Sequence, residues 1–130
     1  MAAGQGHVDA IKALCALGAD VNTPCNFGDT PVLAAAGGGH VDAIKALGVL
    51  GADVNIPNNY GFTPILFAAG KGHVDVIKAL CILGADVNTR SNNCVTPIIA
   101  AALQGHSSAI KLLYKLGADL GTGTINNLDV

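Results

Sequence analysis

The string Gly-Ala-Asp-Val-Asn begins at Gly18, Gly51 and Gly84, and Gly117-Ala118-Asp119-Leu120 repeats it more loosely, so the chain has a 33-residue period. A fixed period of this length constrains the fold more than any single residue. Each repeat is one supersecondary unit too small to bury its own apolar face, and the core forms only by stacking neighbours. The 130 residues hold just under four units, roughly 1–24, 25–57, 58–90 and 91–123, with 121–130 as a C-terminal tail, all within one domain.

Composition follows the same period. All nine acidic residues are Asp, and seven recur in two in-phase sets: Asp9, Asp42 and Asp75, then Asp20, Asp53, Asp86 and Asp119. Four of the seven cations, Lys12, Lys45, Lys78 and Lys111, are also in phase. Charge mostly serves the scaffold. A net charge of −2 leaves no basic stripe, which argues against nucleic acid and acidic membranes as partners. Gly and charged residues interrupt every apolar run, so no membrane span or signal peptide is read. Cys15 and Cys81 share a register two repeats apart, and Cys25 and Cys94 fall in different loops. Stacked repeats lie about 10 Å apart, beyond the roughly 7 Å between Cα atoms that a disulfide tolerates. Free thiols and an intracellular, cytoplasmic location are therefore expected.

Within a unit the signals come in a set order. Thr30-Pro31, Thr63-Pro64 and Thr96-Pro97 start a helix, because a Thr hydroxyl caps free amides and Pro at the first position lacks a donor that would go unused. Short apolar helices follow over 32–36, 65–69 and 98–103, with small Ala residues that allow close approach of the next repeat. Gly39-His40 and its copies Gly6-His7, Gly72-His73 and Gly105-His106 end them. A second helix carries Val41, Ile44, Leu47 and Leu50, copied as Val74, Ile77, Leu80 and Leu83, with an Asp in the first turn. Gly51 stops it, and the stretch 52–62 reads as a hairpin-like connection.

Thr-Pro, Ala-Ala, Gly-His and Gly-Ala-Asp-Val-Asn, recurring in phase, resemble the ankyrin repeat over about residues 1–120. The resemblance implies an all-α solenoid of stacked helix-turn-helix units with β-hairpin-like loops, used for protein recognition without catalysis or cofactor. Three departures stand out. Leu33, Leu66 and Ile99 replace the His that often follows Thr-Pro-Leu, so packing must take over from its hydrogen bonds. Cys25, Asn58 and Ser91 replace the Asp that usually opens the loop. Cys94 replaces the loop glycine seen at Gly28 and Gly61, so the fourth loop is expected to differ in shape. The segment 39–57 nearly copies 6–24, as recent duplication or a partly engineered array would.

Binding candidates lie where the repeats disagree, because scaffold demands are equal there. Loop tips and inner-helix positions select Phe27, Asp29, Tyr60, Phe62, Lys71, Arg90, Asn93, Val95, Leu103 and Gln104 as the surface for a protein partner of unknown identity. Aromatic and Arg side chains are the usual anchors of interfaces; the competing reading is that Phe27 and Tyr60 only cover the hairpins. His7, His40, His73 and His106 come from different repeats, too far apart to share a metal, and read as turn residues. No nucleophile, base and orienting acid converge. Alternative readings are a self-associating, engineered or excised array joined through an uncapped N-terminal repeat, and modification of Asn22, Asn55 and Asn88 by an asparaginyl hydroxylase. Each of those Asn follows Asp-Val, and the plainer reading makes them loop stabilisers.

Overall fold

The computed structural model describes residues 20–24 and 26–120. Among the described residues six α-helices run in order: α1 Pro31–Gly38, α2 Val41–Val49, α3 Pro64–Lys71, α4 Val74–Ile82, α5 Pro97–Leu103 and α6 Ser107–Lys115. A single 3-10 turn, Asn26–Gly28, precedes them, and there is no strand among the described residues. The hairpin-like connections are therefore turns and extended segments. The expected N-terminal unit and the tail 121–130 fall outside the described residues, apart from 20–24, and so does Cys25.

Local chemistry explains the helix bounds. Each of α1, α3 and α5 starts with Pro after an extended Thr. Thr30 Oγ1 accepts from Leu33 N at 3.3 Å, and Thr96 Oγ1 accepts from Ile99 N at 3.4 Å. Thr63 differs: its hydroxyl is buried without a hydrogen-bond partner. Gly39 and Gly72 close α1 and α3 in the left-handed conformation. The histidines that follow do not cap the next helix. Instead His73 Nε2 meets Gly37 O at 3.2 Å and His106 Nε2 meets Gly70 O at 3.1 Å. Since a carbonyl only accepts, each imidazole donates and ties its unit to the one before.

Helices pair as α1·α2, α3·α4 and α5·α6, and the pairs stack into an inner row α1·α3·α5 and an outer row α2·α4·α6. The core runs continuously between the rows through Val32, Ala36, Ile44, Leu47, Ile65, Ala69, Ile77, Leu80, Ala101 and Leu113. Each fully buried Leu or Ile contributes about 1.5–3 kcal/mol, and none could be buried by one helix pair alone. Leu33 and Leu66 are fully packed, as the loss of the family's His requires, whereas Ile99 remains 44 % exposed.

The Asn residues of the Asp-Val-Asn motif extend this coupling along the loops. Asn22, Asn55 and Asn88 each offer Oδ1 to the backbone N–H of the Asp in the next unit: Asp53 at 2.9 Å, Asp86 at 2.8 Å and Asp119 at 2.6 Å. Asn55 Nδ2 donates onward to Gly84 O at 3.0 Å, and Asn88 Nδ2 to Gly117 O at 3.4 Å. Within each unit Asp20, Asp53 and Asp86 accept from the N–H of their own Asn. The three asparagines thus form a ladder between repeats, with the side-chain amides of Asn55 and Asn88 engaged at both ends.

Candidate interaction surface

The loop tips are shaped by hydrogen bonds that leave aromatic rings outside. Asn58 is buried, and its Oδ1 accepts from Tyr60 N at 2.9 Å and Phe62 N at 3.0 Å, while Asn58 N donates to Phe62 O at 2.9 Å. This closes a tight loop with Tyr60 at its tip, 53 % exposed. Successive loops are laced together by Asn59 N donating to Phe27 O at 2.8 Å and Asn92 N donating to Tyr60 O at 3.0 Å. Asp29 takes part in the lacing, since its Oδ1 accepts from Asn58 Nδ2 at 3.0 Å. That carboxylate braces the neighbouring loop.

Because the loops are locked in register, their rings line up. Ring centroids lie 6.2 Å apart for Phe27 and Tyr60, 6.4 Å for Tyr60 and Phe62, and 5.4 Å for Phe62 and Phe67. All three spacings fall in the range of favourable aromatic pairs. The row starts on the exposed loop tips and descends to Phe62, just before α3, and Phe67 within it, both half-buried. There it opens into a groove of about 420 Å³ between α3 and α5, lined by Phe62, Leu66, Phe67, Gly70, Lys71, Val95, Ala100, Leu103 and Gln104.

Five of the ten candidates, Phe62, Lys71, Val95, Leu103 and Gln104, meet in this groove, and Phe27 and Tyr60 lead into it. Arg90 and Asn93 are exposed but do not line it. Sequence reasoning missed Phe67, Leu66, Gly70 and Ala100. Phe67 had a usable signal, because it stands in register with Ala34 and Ala100 and so breaks the repeat as clearly as Tyr60 does. It was hidden inside a segment read only as a packing helix.

The expectation of an altered fourth loop is corrected. Cys94 takes φ 65°, close to Gly28 at 77° and Gly61 at 79°. Ser91 N donates to Val95 O at 2.9 Å and Cys94 N to Ser91 O at 2.9 Å, matching the bonds of Asn58 N to Phe62 O and Gly61 N to Asn58 O. Ser91 Oγ, accepting from Val95 N at 3.1 Å, stands in for the Asn58 amide. A Cβ on Gly61 would meet Asn92 N at 2.7 Å, whereas the residue in that place in the next unit, Cys94, is exposed. The described loop that does depart is that of the second unit, where Phe27 itself adopts φ 64°.

Among the described residues no group of three or more His, Cys or Asp could hold a metal ion, and no helix is long and apolar enough to cross a membrane. Cys81 and Cys94 are free thiols; burial raises the pKa of the half-buried Cys81, which keeps it protonated rather than nucleophilic at neutral pH. A family model described as Ankyrin repeats (3 copies) matches residues 1–91 and 49–124. No curated protein matches the chain. Such repeats are generally non-catalytic scaffolds for protein–protein interaction. With helix pairs stacked at the spacing of the sequence repeat and that match over nearly the whole length, the chain belongs to the ankyrin-repeat family.

Proposed function

We propose that this chain is a non-catalytic binding module whose protein partner lies across the inner face, from the loop tips Phe27 and Tyr60 into the groove at Phe62, Lys71, Val95, Leu103 and Gln104. The observation that carries the reading is the coincidence of two independent features. Seven of the ten positions selected because the repeats differ there, Phe27, Tyr60, Phe62, Lys71, Val95, Leu103 and Gln104, belong to the aromatic row or to the groove at its foot. Scaffold demands explain the identical positions, such as the His tethers and the Asn ladder. They do not explain an exposed Tyr60 beside an exposed Phe27. Exposed aromatic side chains bury large area at small entropic cost when a partner covers them. Asp29, Arg90 and Asn93 contribute differently: Asp29 braces the row, and the other two form a polar rim.

The test is a peptide-display selection against the full chain, followed by affinity measurement on Tyr60→Ala, Phe62→Ala and the double variant. Binding should fall by about 2 kcal/mol or more in the double variant, with unchanged helical circular dichroism. Selected peptides that bind the double variant as tightly as the original chain would reject the inner face.

A further inference from the structure

The inner helices contain their own template for what the groove holds. In α3 the ring of Phe67 lies against α1 at Gly37, where an added Cβ would sit 3.3 Å from Phe67 Cδ2. One repeat later the same two positions are Ala100 and Gly70, and a Cβ on Gly70 would find only Ala100 Cβ at 3.9 Å. The backbone arrangement is repeated but the phenyl ring is not. The space that Phe67 fills over Gly37 is thus left open over Gly70, and this is where the groove of about 420 Å³ forms. An apolar cavity of about 150 Å³ already accommodates a benzene ring, so there is room for a ring and its neighbouring atoms. At the rim Lys71 is exposed and makes no ion pair among the described residues.

We propose that the space over Gly70 is a slot for one aromatic side chain of a partner peptide, inserted where this chain lacks a Phe at position 100, with a carboxylate of the same peptide facing Lys71. The inference rests on the inner face being the partner-binding surface and specifies what it reads. Phe62, Phe67 and Leu103 all line the groove, so an inserted aromatic residue gains ring contacts that a Leu does not. The Lys71 ammonium adds a weaker, salt-sensitive preference for an acidic neighbour.

The experiment is a titration of the isotopically labelled full chain, followed by backbone NMR, with N-acetylphenylalanine, N-acetylphenylalaninamide and N-acetylleucine. N-acetylphenylalanine should bind with millimolar affinity, as expected for a fragment of that size, and shift the amides of Gly70, Ala100 and Leu103. It should bind about five-fold tighter than N-acetylleucine and about two-fold tighter than the amide. Ala100→Phe supplies the missing ring from within, copying the Phe67 arrangement, and should abolish these shifts. Gly70→Ala, whose Cβ makes only an ordinary contact, keeps the fold and should weaken binding several-fold. Equal binding of the leucine derivative, shifts centred elsewhere, or full binding by the folded Ala100→Phe or Gly70→Ala variant would overturn the slot. Display-selected peptides separate the two levels of the argument. If they need Tyr60 and Phe62 but bind Ala100→Phe normally, the slot is wrong and the binding face stands; if they need none of these residues, both fall.

Discussion

Thr30 and Thr63 occupy the same position in successive repeats, are equally buried and have nearly the same backbone angles, yet the same substitution should move stability in opposite directions. Thr30 Oγ1 accepts a hydrogen bond from Leu33 N, so Thr30→Val removes a helix cap, costing about 1 kcal/mol. It also leaves the Leu33 amide without that partner inside the stack, which brings the loss to about 1–2 kcal/mol after allowing for the added methyl group. The Thr63 hydroxyl bonds to nothing, and Leu66 beside it offers no side-chain donor. Thr63→Val therefore removes a polar group that has been desolvated without compensation, a gain of about 1 kcal/mol. The two variants should differ by about 2 kcal/mol or more. Urea titration with linear extrapolation reads this as a change of midpoint at constant slope, and thermal melting as shifts of roughly 3–5 °C per kcal/mol for a chain of this size. Equal destabilisation by both substitutions would refute the reasoning, because it would mean that the Thr63 hydroxyl is satisfied in solution.

Other outcomes follow from the loops and the ladder. Cys94→Gly should stabilise by about 1 kcal/mol, since a side chain at φ 65° is strained and glycine is not; Gly61→Ala should destabilise by more than that, because its Cβ also meets the Asn92 backbone. Opposite signs in the same denaturation assay would support this, and a stabilising Gly61→Ala would contradict it. Asn55→Ala removes the bonds to Asp86 N and Gly84 O and should cost about 1–2 kcal/mol. Amide exchange should speed up at Asp86, in the adjacent repeat, and unchanged exchange there would refute the ladder.

Most of the fold was legible because the same signal is written several times. Thr-Pro, Gly-His and the apolar positions of the second helices recur in phase, and each marks a boundary or buried face that the structure has. What was not legible depends on how repeats lean on one another. The conformation of Cys94 is set by its amide donating to Ser91 O, in a loop closed by the bonds between Ser91 and Val95, which no residue type announces. Asp29 differs from Phe62 and Val95 in register and so looked like a recognition residue, yet its carboxylate holds the next loop's Asn58. Phe67 was overlooked for the opposite reason: a Phe inside an apolar helix reads as core, which masked its break of the repeat, and the contact with Gly37 and the groove lining place its ring on the inner face. The exposure of Ile99, whose counterparts Leu33 and Leu66 are buried, likewise depends on what stacks against it.

The most direct test of the account is to map a display-selected peptide onto the full chain by amide chemical-shift changes. Binding through the face where the repeats differ predicts that the largest changes cluster at Tyr60, Phe62, Phe67, Gly70 and Lys71. Changes centred instead on the outer helices, around the exposed Val49 and Ile82, would contradict it.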